Sequence, residues 1–169
     1  MVTDTDALLR LAFAGLTPRT IQTLVTRQGG VERALRAVSR RGGDDVAAQA
    51  VRVDANRRRE ELSVSGVRFL ADSDDGFPDR LQPHDDAPRW LFVRGPVPDP
   101  GLPTVGIVGS RSATRYGLDL AYALGERAAV SGWVVVSGLA RGIDGAAHRG
   151  ALSASGACIG VLGCGADVV

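Results

Sequence analysis

The sequence predicts an α/β protein: a short parallel sheet that stops before it is complete, preceded by a small all-helical domain. Three observations carry that prediction. Apolar residues recur every three or four positions through residues 4–65, and from Thr104 onward strand-length apolar runs alternate with helix-length segments. The chain has 169 residues, 44% of them hydrophobic and 23% charged, a composition near the globular average and far from that of a disordered chain. Its length suits one main domain with a small companion. The change of pattern places the boundary between residues 1–65 and 66–169.

In the first region Leu8, Leu11, Ala12, Ile21, Leu24, Val25, Val31, Leu35 and Val38 follow the helical period. Gly15-Leu16-Thr17-Pro18 stops one helix and starts the next, because Thr17 can cap the new helix with Pro18 in its first turn. Gly29-Gly30 breaks that helix again. Short helices joined by tight glycine turns are similar to helix-hairpin-helix and SAM-like modules. Arg57, Arg58 and Arg59 could contact phosphate, but pairing with Glu60 and Glu61 on a solvated helix face is the better reading.

From residue 66 the pattern changes to early strands and connectors. Val67-Arg68-Phe69-Leu70 is one strand, an acidic, proline-bearing stretch runs through Pro88, and Trp90-Leu91-Phe92-Val93 is a second strand. Gly95-Pro96 and Pro98-Asp99-Pro100-Gly101 then mark loops. Beyond Pro103 the strands are residues 104–108, 133–136 and 157–162, separated by helices over 115–131 and 142–154. Strands without polar alternation imply a parallel sheet covered on both faces, a Rossmann-like βαβαβ unit. An open doubly wound sheet has two such halves. Here the sequence ends at Val169, just after Gly163-Cys164-Gly165, so an incomplete sheet truncated on its C-terminal side is expected.

The charge pattern narrows the chemistry. All 20 basic residues are arginine, which removes lysine-based readings such as Schiff-base catalysis and the P-loop lysine. A net charge of +1 commits the whole chain to neither nucleic acid nor membrane. Its distribution is uneven: residues 1–65 hold 11 arginines against 8 acids, 66–103 hold 4 against 7, and 104–169 hold 5 against 4. The acidic N-terminus carries no signal pattern and no membrane-length apolar run occurs, so a cytoplasmic protein is expected. Cys158 and Cys164, with two histidines, are too few for a zinc site or a disulfide framework. Both cysteines read as buried, reduced thiols.

In an open parallel sheet, ligands bind outside the carboxyl ends of the strands. The first such loop is Gly109-Ser110-Arg111-Ser112-Ala113-Thr114-Arg115-Tyr116-Gly117. It spells neither G-x-G-x-x-G nor a P-loop, which argues against dinucleotide or nucleoside triphosphate binding. It does offer Gly109 for close backbone approach, hydroxyls at Ser110, Ser112 and Thr114, and guanidinium forks at Arg111 and Arg115 that match phosphate oxygens. Arg115 has a competing partner in Asp119, four residues along the helix.

The second loop is Ser137-Gly138-Leu139-Ala140-Arg141-Gly142-Ile143-Asp144, where Gly138 and Gly142 permit a tight strand-to-helix turn and Arg141 adds a cation. Asp144 and His148 share a helix face, but no G-x-S-x-G elbow accompanies them, so a Ser-His-Asp hydrolase is disfavoured. Asp144 is expected instead to accept N–H bonds near the helix start and to hold His148. A third loop, Gly163-Cys164-Gly165-Ala166-Asp167, could close the cleft. No catalytic residue, metal site or cofactor is expected.

Three strings together resemble the DNA-processing protein A (DprA, or Smf) family. They are Ile107-Val108-Gly109-Ser110-Arg111, then Val135 through Asp144 with Ala147-His148, and finally Val161 through Val169. Phe77-Pro78-Asp79-Arg80-Leu81 and Trp90-Leu91-Phe92-Val93-Arg94-Gly95 are similar to that family's entry into an extended Rossmann domain. The resemblance implies a bacterial protein that binds and protects single-stranded DNA and helps load the RecA recombinase during natural transformation, without catalytic turnover. It also implies dimerisation through the Rossmann domain. By position it implies DNA-phosphate contacts from Gly109, Ser110, Arg111, Ser137, Gly138, Ala140, Arg141 and Gly142, with Arg115 added from the loop reading and Asp144 and His148 in support. Aromatic residues are 5% of the chain and Tyr116 alone lies near the pocket, so binding would rest on phosphates more than on base stacking. The alternative is a nucleotide-processing enzyme akin to the phosphoribohydrolases, although their P-G-G-x-G-T loop is missing from the sequence.

Overall fold

The computed structural model describes residues 3–41, 45–81 and 87–166. The chain divides into two compact units, one running to Gly95 and the other starting at Pro96. The expected boundary at residue 65 differs from this division by one β-hairpin, which packs with the helices.

The first unit contains α1 (Asp4–Ala12), α2 (Pro18–Gln28), α3 (Val31–Ser39), α4 (Val46–Arg52), α5 (Ala55–Val64), β1 (Val67–Ala71) and β2 (Trp90–Arg94), with one 3-10 turn at Asp79–Leu81. Thr17 caps α2 as expected, its hydroxyl accepting the Thr20 N–H at 3.1 Å with Pro18 in the first turn. Gly29 ends α2 in the left-handed region, at φ 70°. Leu8, Leu11, Ile21, Leu35, Val38 and Val51 form the core, and Phe69, Ala71 and Trp90 of the hairpin pack against it. The three consecutive arginines are engaged in structure: Arg57 and Arg58 both pair with Glu61, and Arg59 pairs with Asp6. Arg58 also lies over the Phe13 ring, 4.4 Å from its centroid.

β1 and β2 pair antiparallel, from Val67 opposite Arg94 to Ala71 opposite Trp90. They make a sheet of their own, separate from the parallel one.

The second unit contains β3 (Thr104–Gly106), α6 (Arg115–Val130), β4 (Val134–Ser137), α7 (Ile143–Ser153) and β5 (Cys158–Gly160). The strands are parallel in the order β3-β4-β5, a partial Rossmann-like sheet. β3 and β5 are shorter than their apolar runs, whereas β4 has the expected length and is shifted by one residue to end on Ser137. The ladder persists one bond further on each side of β4, through Ile107 N–H to Val136 and Val161 N–H to Ser137.

Coverage of both sheet faces is corrected. Right-handed crossovers between strands laid down in sequence put both helices on the same side, and α6 and α7 pack against each other as well as against β4. β4 is the buried strand, whereas β3 and β5 are edges among the described residues. The thiols diverge too. Cys158 is half-buried and burial pushes its thiol up, whereas Cys164 is exposed, contrary to expectation, because it lies beyond the last strand.

A candidate phosphate-facing cleft at the strand ends

β3 and β4 end side by side, so the two loops that follow them meet. The Ile143 N–H donates to the Ser110 carbonyl at 3.2 Å, fastening the start of α7 to the first loop. A Cβ on Gly142 would collide with that same carbonyl, and φ at Gly142 is 91°, so two independent constraints require glycine there. Leu139 also takes a left-handed conformation, at φ 54°, which is strained for a branched side chain.

Asp144 ties the loops together. One carboxylate oxygen accepts the Gly109 N–H at 3.1 Å and the other accepts the Gly138 N–H at 3.0 Å. The side chain sits in the first turn of α7, where the helix dipole favours an anion, and the residue is only 6% exposed. Burial is the largest influence on its carboxyl and acts upward. The Gly109 and Gly138 N–H bonds lead the influences that outweigh it and hold the group below the ordinary aspartate value. The Ser137 hydroxyl donates to the Ile107 carbonyl at 2.6 Å, joining β4 to the end of β3.

The expected site residues therefore separate into two kinds. Gly109, Ser137, Gly138 and Gly142 build the cleft, with their polar groups or their clearance used internally. Ser110, Arg111 and Arg141 are exposed, and neither arginine forms an ion pair among the described residues. Ala140 accepts the Gly145 N–H at 3.0 Å and stiffens the turn beside Arg141. Arg115 pairs with Asp119 at 3.0 Å. The Ser110 hydroxyl accepts the Ser112 N–H, and the Thr114 hydroxyl caps α6.

One expectation is corrected. Asp144 does not hold His148: its carboxylate is committed to the two glycines, and the buried His148 Nε2 has no hydrogen-bond partner among the described residues. The third loop is described as far as Ala166, and Asp167, Val168 and Val169 lie outside the described residues. Sequence reasoning placed Asp144 correctly near the helix start but missed its two partners. Among the described residues there is no cluster of metal-ligating side chains and no helix long and apolar enough to cross a membrane.

A partial Rossmann-like parallel sheet, with exposed arginines on its strand-end loops and no nucleotide fingerprint in its sequence, places the chain among the Rossmann-like α/β proteins. Residues 68–169 match the family model described as DNA recombination-mediator protein A. The chain belongs to this family, the DprA/Smf proteins of DNA processing and recombination. It is 37% identical over 99 residues to the DNA processing protein DprA of Bacillus subtilis, covering 57% of this chain and 33% of that protein. It is 34% identical over 169 residues to a putative DNA processing protein DprA of Mycobacterium tuberculosis, covering 88% of this chain and 42% of that one. The X-ray structure of DprA from Streptococcus pneumoniae superposes with a TM-score of 0.72 at 27% identity, covering 99% of this chain and 60% of that chain. The chain thus spans a third to three fifths of the length of these three proteins.

Proposed function

We propose that this chain binds single-stranded DNA through its backbone phosphates at the strand-end cleft. In this reading it is a cytoplasmic mediator that protects incoming DNA and helps load the RecA recombinase in natural transformation. Ser110, Arg111 and Arg141 meet phosphate directly. Gly109, Ser137, Gly138, Ala140 and Gly142 shape the loops that carry them, with Asp144 and His148 behind. Arg115 reaches DNA only by giving up Asp119. Dimerisation through the Rossmann-like unit belongs to the same proposal, and no catalytic step does.

The single observation that carries this reading is the pair of exposed arginines, without an ion pair among the described residues, on two loops bonded to each other. A guanidinium fork matches phosphate oxygens, and two forks on loops bonded to each other offer neighbouring donors on one edge.

Fluorescence anisotropy of labelled single- and double-stranded oligonucleotides, read at several salt concentrations, tests the proposal. Single strands should bind in preference to duplex. Each lost phosphate contact should weaken binding and flatten the log–log salt slope by about 0.7. Arg111→Ala and Arg141→Ala should each show that loss. Equal duplex binding, or variants indistinguishable from the parent, would refute the assignment.

A further inference from the structure

We propose that Asp144 determines the specificity of the cleft: its carboxylate stands where a bound phosphate would, closing the cradle to inorganic phosphate and free nucleotides. In open parallel sheets, N–H groups after the strand ends and at a helix start converge on a ligand's phosphate. Here the Gly109 and Gly138 N–H groups, from two adjacent strand ends, converge at 3.1 and 3.0 Å on the two oxygens of one carboxylate. That carboxylate belongs to the protein.

The glycines support the same conclusion. Clearance that reads in a sequence as room for a ligand is filled from within. A Cβ on Gly138 would stand 2.9 Å from the Asp144 Oδ2, and one on Gly109 would stand 2.7 Å from the Ile143 side chain. An entering phosphate would meet a buried negative charge and find both backbone donors already used. Asp144 therefore rejects the small anions for which this topology is built, while leaving the exposed guanidinium groups free. That DNA phosphates stay at Arg111 and Arg141, outside the cradle, rests on the proposed DNA reading. The closed cradle does not.

The test uses inorganic phosphate and adenosine monophosphate on the whole chain, followed by the amide resonances of Gly109 and Gly138. In the parent neither resonance should move. In Asp144→Ala both should shift saturably with phosphate, and the melting temperature should rise with phosphate by more than the parent's. General salt stabilisation would raise both proteins equally and so overturn the proposal, as would parental amides that titrate with phosphate. Where Asp144→Ala fails to fold, Asp144→Asn, which keeps one acceptor oxygen, makes the same comparison with a smaller rise. A silent parent together with absent DNA binding would overturn the DNA reading and leave the closed cradle standing.

Discussion

The two units are held together in opposite ways. In the helical unit, branched side chains fill the interior: Leu8, Leu11, Ile21, Val38 and Val51 are almost wholly enclosed. In the sheet unit the enclosed cluster is Val135 with Ala147 and Ala151, and α6 meets α7 through Gly125 and Gly150. A Cβ on Gly125 would collide with the Ala147 carbonyl, and one on Gly150 would collide with the Tyr122 carbonyl. One unit is stabilised by apolar volume removed from water, the other by the close approach of backbones that small residues allow. Large-to-small changes should therefore harm the first unit most, and small-to-large changes the second.

Leu11→Ala carries the largest expected effect. Leu11 is fully buried, so its truncation should destabilise the helical unit by about 2–5 kcal/mol. Gly150→Ala follows, at about 1–3 kcal/mol, because the added carbon meets backbone rather than a flexible side chain. Hydrogen exchange resolved by segment separates the two. Faster exchange in α1–α5 for the first variant, and in α6 and α7 for the second, supports the contrast. A neutral Gly150→Ala would break it.

How much of this was legible in sequence follows the range of the interactions. The Thr17-Pro18 start, the Gly29-Gly30 break and the Arg115–Asp119 pair are set by residues three or four apart, and each stands where the pattern put it. The strand ends of the sheet unit were legible to within a few residues, because the apolar runs are bounded by glycine. Pairings over longer range were not. Val67 lies opposite Arg94 across a connector whose composition says nothing of register. Gly109 and Asp144 are 35 positions apart, so no local motif shows that the aspartate occupies both glycine N–H groups. One-sided helix packing follows from strand order, which composition does not state.

Acid should sharpen the comparison with the smallest of these effects. In the helical unit, burial acts upward most strongly on Asp6, and the Arg59 and Thr3 bonds bring it net below its ordinary value. The Arg58 bond does the same for Glu61. In the sheet unit, Asp144 is lowered by N–H bonds rather than by a cation. All three carboxyls are depressed on folding. Each contributes stability that is present above its unfolded value, about 3.9 for Asp and 4.3 for Glu, and is lost as pH falls through the lower folded value. Salt distinguishes them. Asp6 and Glu61 owe their shift to arginine partners near the surface, which salt screens. Asp144 owes its shift to dipoles at about 3 Å in a buried site, which salt barely reaches. Raising salt should therefore flatten the acid loss of protection in α1–α5 and leave that in α7 and the Gly109 and Gly138 amides unchanged. Asp144→Asn should lose the α7 component alone. Acid profiles followed by amide exchange at low and high salt check this, and an equal salt response in both units would mean that the cleft is open to water.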